Sequence, residues 1–181
     1  MLKTFRALTA LTAAALALQP IAATAQQACV TEAEASAIAI YSMPGLIQAV
    51  RLRCDNQLAS NGYLAQRGNN LLGRFAPIQT RVWPQAKSGL LKILAGKAGP
   101  SQGRMNLDAV AGLPDNAVRP LVDALIVQEA SAKIATGNCS RLERVIEFVA
   151  PIDPEMAGGL LGAIAGLINH RDFPVCQPRR L

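Results

Sequence analysis

Apolar residues recur along this chain at intervals of three and four, the spacing of one face of an α-helix. Thr31 and Glu34 stand in the S/T-x-x-E arrangement of a capping box, in which each side chain satisfies a backbone N–H at a helix start. The Ala- and Ile-rich stretch that follows predicts a helix to about Tyr41. Pro44 predicts the opening turn of a second helix, on which Ile47, Val50 and Cys54 share a face while Arg51 and Arg53 point elsewhere. From Tyr63 onward Leu64, Leu71, Leu72, Phe75 and Ile78 keep helical spacing, and Leu90, Leu91 and Leu94 continue it. Pro77 and Pro84 predict kinks or boundaries there.

Residues 96–104 (GKAGPSQGR) read as a loop. Val118, Leu121, Val122, Leu125 and Ile126 form the most regular amphipathic stripe, with Pro120 near its first turn. Ser140 and Glu143 repeat the capping-box pattern ahead of Leu142, Val145, Ile146 and Val149, and Pro151 and Pro154 end that helix. A last helix runs from about Glu155 to Asn169. No stretch alternates apolar and polar residues long enough to predict a strand. The fold class is therefore all-α, a compact bundle of about six to seven helices.

The N-terminus follows a different rule. Lys3 and Arg6 precede an apolar run from Ala7 to Leu18, Gln19-Pro20 breaks it, and Ala23-Thr24-Ala25 places small residues at cleavage positions. This is the three-part pattern of a secretory signal peptide. Residues 1–25 are expected to be removed, leaving 26–181 as a single helical domain in the periplasm or outside the cell. Gln26-Gln27-Ala28 ahead of Cys29 lacks the aliphatic residue of a lipidation site. The Ala and Arg richness points to a GC-rich bacterial genome.

All four cysteines, Cys29, Cys54, Cys139 and Cys176, lie in the mature part. An even count in an exported chain predicts disulfides. Two helical hairpins, each flanked by cysteines, favour the pairs Cys29–Cys54 and Cys139–Cys176. No C-x-x-C occurs and the single histidine is distant from Cys29 and Cys54, so neither a zinc site nor a haem attachment is expected.

Composition sharpens this picture by exclusion. The 181 residues are 51% hydrophobic and 17% charged, far from the low hydrophobicity and high net charge of disordered chains. No apolar run reaches the roughly 18 residues that predict a membrane span. Removing Lys3 and Arg6 leaves 16 basic against 12 acidic residues, a net charge of +4. The basic residues are unevenly spread: nine lie between Arg51 and Arg104, with Asp55 the sole acid among them. Arg67, Arg74 and Arg81 recur every seven residues and align on one face if the helix is continuous. Such a stripe is the candidate anion-binding site, with anionic lipid, a polyanionic glycan or an acidic protein as partner. Neutralisation by acidic segments packed alongside is the competing expectation. An exported chain with 4% aromatic residues is poorly equipped to stack nucleic-acid bases.

Catalytic signals are weak. His170 precedes Arg171 and Asp172, so a base with an orienting acid is conceivable, yet no G-x-S-x-G accompanies it. A histidine at a helix C-terminus meets the dipole favourably and needs no further role. Glu143 and Glu147 read as a solvated helix face, and Asp153 and Glu155 as helix-start acids. In the last helix Gly158, Gly162 and Gly166 form a small-residue row, with Gly159 and Ala163 beside it. At thirteen residues, Met156 to Ile168 predicts a helix packed closely in a core rather than a span. The sequence reading is thus a non-catalytic exported binding or envelope-associated domain with a basic face, without cofactor or metal. A small hydrolase using His170 and a purely structural protein are its alternatives.

The processing site gives a first prediction. Exported protein should begin near Gln26, as N-terminal sequencing or intact mass will show. A retained Met1, or a lipid on Cys29, contradicts it.

Overall fold

The computed structural model describes residues 29–97, 109–168 and 174–176. Residues 1–25, expected to be a signal peptide, and His170 lie outside them. The described residues form α-helices and no strand: α1 (Glu32–Cys54), α2 (Tyr63–Lys97), α3 (Asp115–Lys133), α4 (Cys139–Val149) and α5 (Pro154–Ile168), with a 3₁₀ turn at Thr136–Asn138.

α1 is the hub, packing along α2, α3 and α5. A helix with neighbours on several sides buries much of its circumference, and Ala35, Ala37, Ile40, Tyr41, Ile47, Ala49, Val50 and Cys54 are all buried. Two clusters lie along it. Toward its C-terminal end, Ile47, Val50 and Cys54 meet Leu64, Leu71 and Phe75 of α2 and Cys139 and Ala150. Nearer its start, Ala37 and Tyr41 meet Trp83, Ala86 and Val118. The Tyr41 and Trp83 rings lie 4.8 Å apart, and the Arg119 guanidinium sits over both at 5.9 and 5.7 Å. Burial, with the nearby Asp123 carboxylate adding to it, pushes the Tyr41 hydroxyl up to about 12.

The first capping box forms as the sequence predicts. The Glu34 amide donates to Thr31 Oγ1 at 3.2 Å, and the Thr31 amide donates to Glu34 Oε2 at 2.8 Å. The same carboxylate also fastens α2 to α1, accepting from Ser88 Oγ at 2.7 Å and Lys92 Nζ at 2.8 Å. Burial alone would raise the Glu34 pKa. The hydrogen bonds from Lys92, Ser88 and Thr31, with the Lys92 charge, outweigh it and hold the value at about 2.

The prolines do not divide the helices. α1 runs unbroken through Pro44, α2 through Pro77 and Pro84, and α3 through Pro120. A proline removes one ladder hydrogen bond and crowds the preceding turn. At buried Pro44, Gln79 Nε2 donates to the Tyr41 carbonyl at 2.9 Å, an outside donor for the disturbed turn. Pro77, Pro84 and Pro120 are exposed, where water can serve the freed carbonyls.

This continuity overturns the expected disulfide pairing. A 23-residue helix is about 34 Å long, whereas a disulfide needs Cα atoms within about 7 Å. Cys29 and Cys54 therefore stand at opposite ends of α1. Cys29 bonds Cys176, with Cα atoms 5.0 Å apart, and Cys54 bonds Cys139 at 5.6 Å. Beside the first bridge, the Val30 amide donates to the Pro174 carbonyl and the Val30 carbonyl accepts from the Cys176 amide, both at 2.8 Å, and Val30 and Val175 are buried. The two bridges are nested, one at each end of α1.

The glycine row of α5 packs closely on α1, but the helix is not buried in the core as expected: beyond that face its large apolar residues stay exposed. A Cβ at Gly158 would collide with Ile40, and one at Gly162 with Ser36 and the Glu32 carbonyl. Gly166 lies against Val175, whereas Gly159 faces open space. The stripe on α3 divides: Val118 is buried and Val122 and Ile126 half-buried, while Leu121 and Leu125 are exposed.

Two predictions follow from these contacts. Peptide mapping without reduction should recover Cys29–Cys176 and Cys54–Cys139 linkages and no free thiol. The loops they close, of 147 and 85 residues, correspond to roughly 4.5–5 kcal/mol each in the chain-entropy model. A Cys29–Cys54 peptide would contradict the helix continuity. The second concerns acid. Glu34 falls from an ordinary carboxyl value of 4.5 to about 2 on folding, so its contribution is complete above pH 4.5 and lost as pH drops toward 2. The Glu34→Gln variant should lack this component, on the order of 2–3 kcal/mol. Denaturant titrations of both proteins from pH 6 to 2.5 measure it, and parallel curves would refute it.

Candidate functional site

α4 is held by anchors at both ends. Cys139 at its first residue is bonded to Cys54. At its other end Arg74 of α2 donates to the Ala150 carbonyl, and to the Ile152 carbonyl at 3.3 Å. These carbonyls lie at and just beyond the helix C-terminus, where backbone acceptors lack intrahelical partners and a cation is favoured by the dipole. Along α4, Leu142 and Ile146 pack on the core.

The second capping box does not form. Asn138 precedes α4 without a side-chain cap, and Glu143 instead accepts from the Leu64 amide at 2.9 Å. Glu143 is thus not a solvated-face acid but a cap for the start of α2, and it is half-buried. Gly62 makes this possible, because a Cβ there would meet the Glu143 carboxylate at 2.6 Å. Asp153 and Glu155 do act at the start of α5. Asp153 Oδ1 accepts from the amides of Glu155 and Met156 at 2.9 and 3.2 Å, and Glu155 pairs with Arg81.

α5 is fixed along α1 by its glycine face, and α4 is fixed to α1 and α2 by the bridge and Arg74. The two helices make few direct contacts with each other. Between them lies an apolar cleft of about 390 Å³. Val145 and Val149 of α4 form one wall, and Met156, Leu160 and Leu161 of α5 the other. Met43 and Ile47 of α1 and Leu71 and Phe75 of α2 complete the lining. Arg74 is the sole charged residue lining it.

The apolar surface extends beyond the cleft. Phe148 is 75% exposed, Met156 70%, Leu160 60% and Leu167 85%, with Ile164 and Ile168 also exposed. Single exposed apolar residues are ordinary, but exposed apolar side chains on both helices that wall an apolar cleft make this the candidate site. Its signal was present in the sequence, where α5 carries more large apolar residues than its glycine face buries against α1.

The arginine stripe is placed on one continuous helix, with Arg67, Arg74 and Arg81 all exposed on α2. Two of the three have partners within the fold, Arg74 on the carbonyls after α4 and Arg81 on Glu155. The neighbouring bases are engaged as well. Lys87 lies 3.0 Å from Asp115, Lys92 2.8 Å from Glu34, and Arg51 donates to Asn69 at 2.7 Å. Acidic residues of α1, α3 and α5 therefore answer much of the positive segment.

No group of three or more His, Cys, Asp or Glu residues suited to a metal ion occurs among the described residues. No described helix is long and apolar enough to cross a membrane. Compared with family models, curated proteins and solved structures, the chain matches none.

Proposed function

We propose that this chain is a non-catalytic, exported helical binding domain whose ligand site is the apolar cleft between α4 and α5, with the basic face of α2 at its rim. One observation carries the reading: a cleft of about 390 Å³, lined by apolar side chains and one arginine, opens onto exposed apolar residues. That volume falls within the roughly 300–1,000 Å³ typical of small-ligand sites, which are mostly apolar with few orienting polar groups. The two disulfides suit an oxidising compartment outside the cytoplasm.

The site has a fixed floor and separately anchored walls. α1 and α2 supply the floor from the core. α4 and α5 are tied to that core rather than to each other, so a guest can lie between them without breaking a helix–helix interface.

A neutral naphthylamine dye, fluorescent in apolar surroundings, tests the reading on the mature protein. Saturable binding of about one dye per chain is expected. Met156→Asp and Leu160→Asp alter exposed rim positions, so melting temperature should stay within a few degrees of the parent. Each should weaken dye binding by roughly tenfold, because a charge is costly in an apolar contact. Absence of saturable binding to the parent protein would refute the proposal.

A further inference from the structure

Resting on the cleft as ligand site, we infer that its ligand class is a single-chain amphiphile with an anionic head, bound as a monomer with its head at Arg74. Three features of the site converge on this chemistry. The first is charge. Arg74 is the one charged side chain in the lining, and no carboxylate pairs with it among the described residues. The two acids flanking Pro154 are otherwise occupied. Asp153 accepts backbone amides of α5, and Glu155 is paired with Arg81.

The second feature is unused donor capacity. A guanidinium carries five N–H donors. Two go to the Ala150 and Ile152 carbonyls, which fix the group in place without cancelling its charge. The remaining donors match the forked geometry of a carboxylate or phosphate. A positioned cation beside an apolar cleft discriminates by charge at one end and accepts any saturated chain at the other.

The third is volume. An apolar cavity of about 150 Å³ accommodates one benzene, so 390 Å³ corresponds to on the order of 15 carbon atoms. One acyl chain fills the site, and a two-chain lipid exceeds it.

The test compares ligands on the unmodified mature protein, so it does not depend on any variant folding. Tetradecanoate, tetradecanol and tetradecylammonium compete for the bound naphthylamine dye below their aggregation concentrations. The acid should bind about 10- to 100-fold tighter than the alcohol, the increment of a charge-assisted hydrogen-bonded contact. The ammonium should bind no tighter than the alcohol. Each added methylene should tighten binding by up to about fourfold, levelling off near 15 carbons.

Arg74→Gln retains an amide donor for the α4 carbonyls and should bring the acid and alcohol together. Arg74→Lys should keep the acid preference, and Lys133→Gln on α3 should leave it unchanged. Equal affinity for acid and alcohol, or preference for the ammonium, overturns the ligand class while the dye result still supports the cleft. So does binding confined to phosphatidylglycerol vesicles without monomer uptake. A dimer that buries the cleft and excludes dye assigns it to a second copy of the chain and overturns the inference. If the dye itself fails to bind, the underlying cleft reading falls too.

Discussion

The burial of α1 constrains every other element. It spans 23 residues, receives α2, α3 and α5 on different sides, and carries both cores along its length. A central helix of this kind must suit each neighbour separately. Where α5 crosses, the opposing surface is glycine, so the backbones approach closely. Where α3 crosses, Gly45 leaves room for Ile126. Where α2 crosses, Glu34 and Lys92 meet in a partly buried ion pair that Ser88 and Thr31 complete. Removing one partner of such a pair leaves the other charge poorly solvated, so the clasp is more costly to break than its net contribution implies.

What could be read in the chain beforehand was local. The Thr31–Glu34 box, the helical class, the core-facing glycine row and Asp153 at a helix start each depend on residues within a turn or two of one another. What could not be read was the choice between local and distant partners. Ser140 and Glu143 have the spacing of a capping box, yet the Glu143 carboxylate reaches the start of α2, some eighty residues earlier. Pro44 has the chemistry of a helix start, but burial and an outside donor from Gln79 make it an interior residue. That one difference decides the covalent topology, since an unbroken α1 separates Cys29 from Cys54. Expected consecutive pairs thus give way to nested ones.

The candidate site shows the same division. Seven-residue spacing correctly aligned Arg67, Arg74 and Arg81 along α2, but spacing carries no information about what packs opposite. The junction between α4 and α5 supplies carbonyls to Arg74 and a carboxylate to Arg81, so two members of the stripe help to hold the helices that flank the cleft. The cleft itself depends on how far α4 and α5 stand apart. That separation is set by contacts each helix makes with the core, and no short sequence window encodes it.

Nested bridges also bear on the order in which the protein becomes covalently complete. Under the proposed export, a chain delivered N-terminus first into an oxidising compartment would expose Cys29 and Cys54 long before their partners. The earliest bond open to them is the one that the finished fold forbids. Thiolate attack on such a premature bridge, once Cys139 arrives, releases Cys29 and creates the inner bond. The outer bond can close only after Cys176 has emerged. Any Cys29–Cys54 bond formed on the way would therefore have to isomerise before the fold is complete, and the outer bridge can close only on nearly the whole domain.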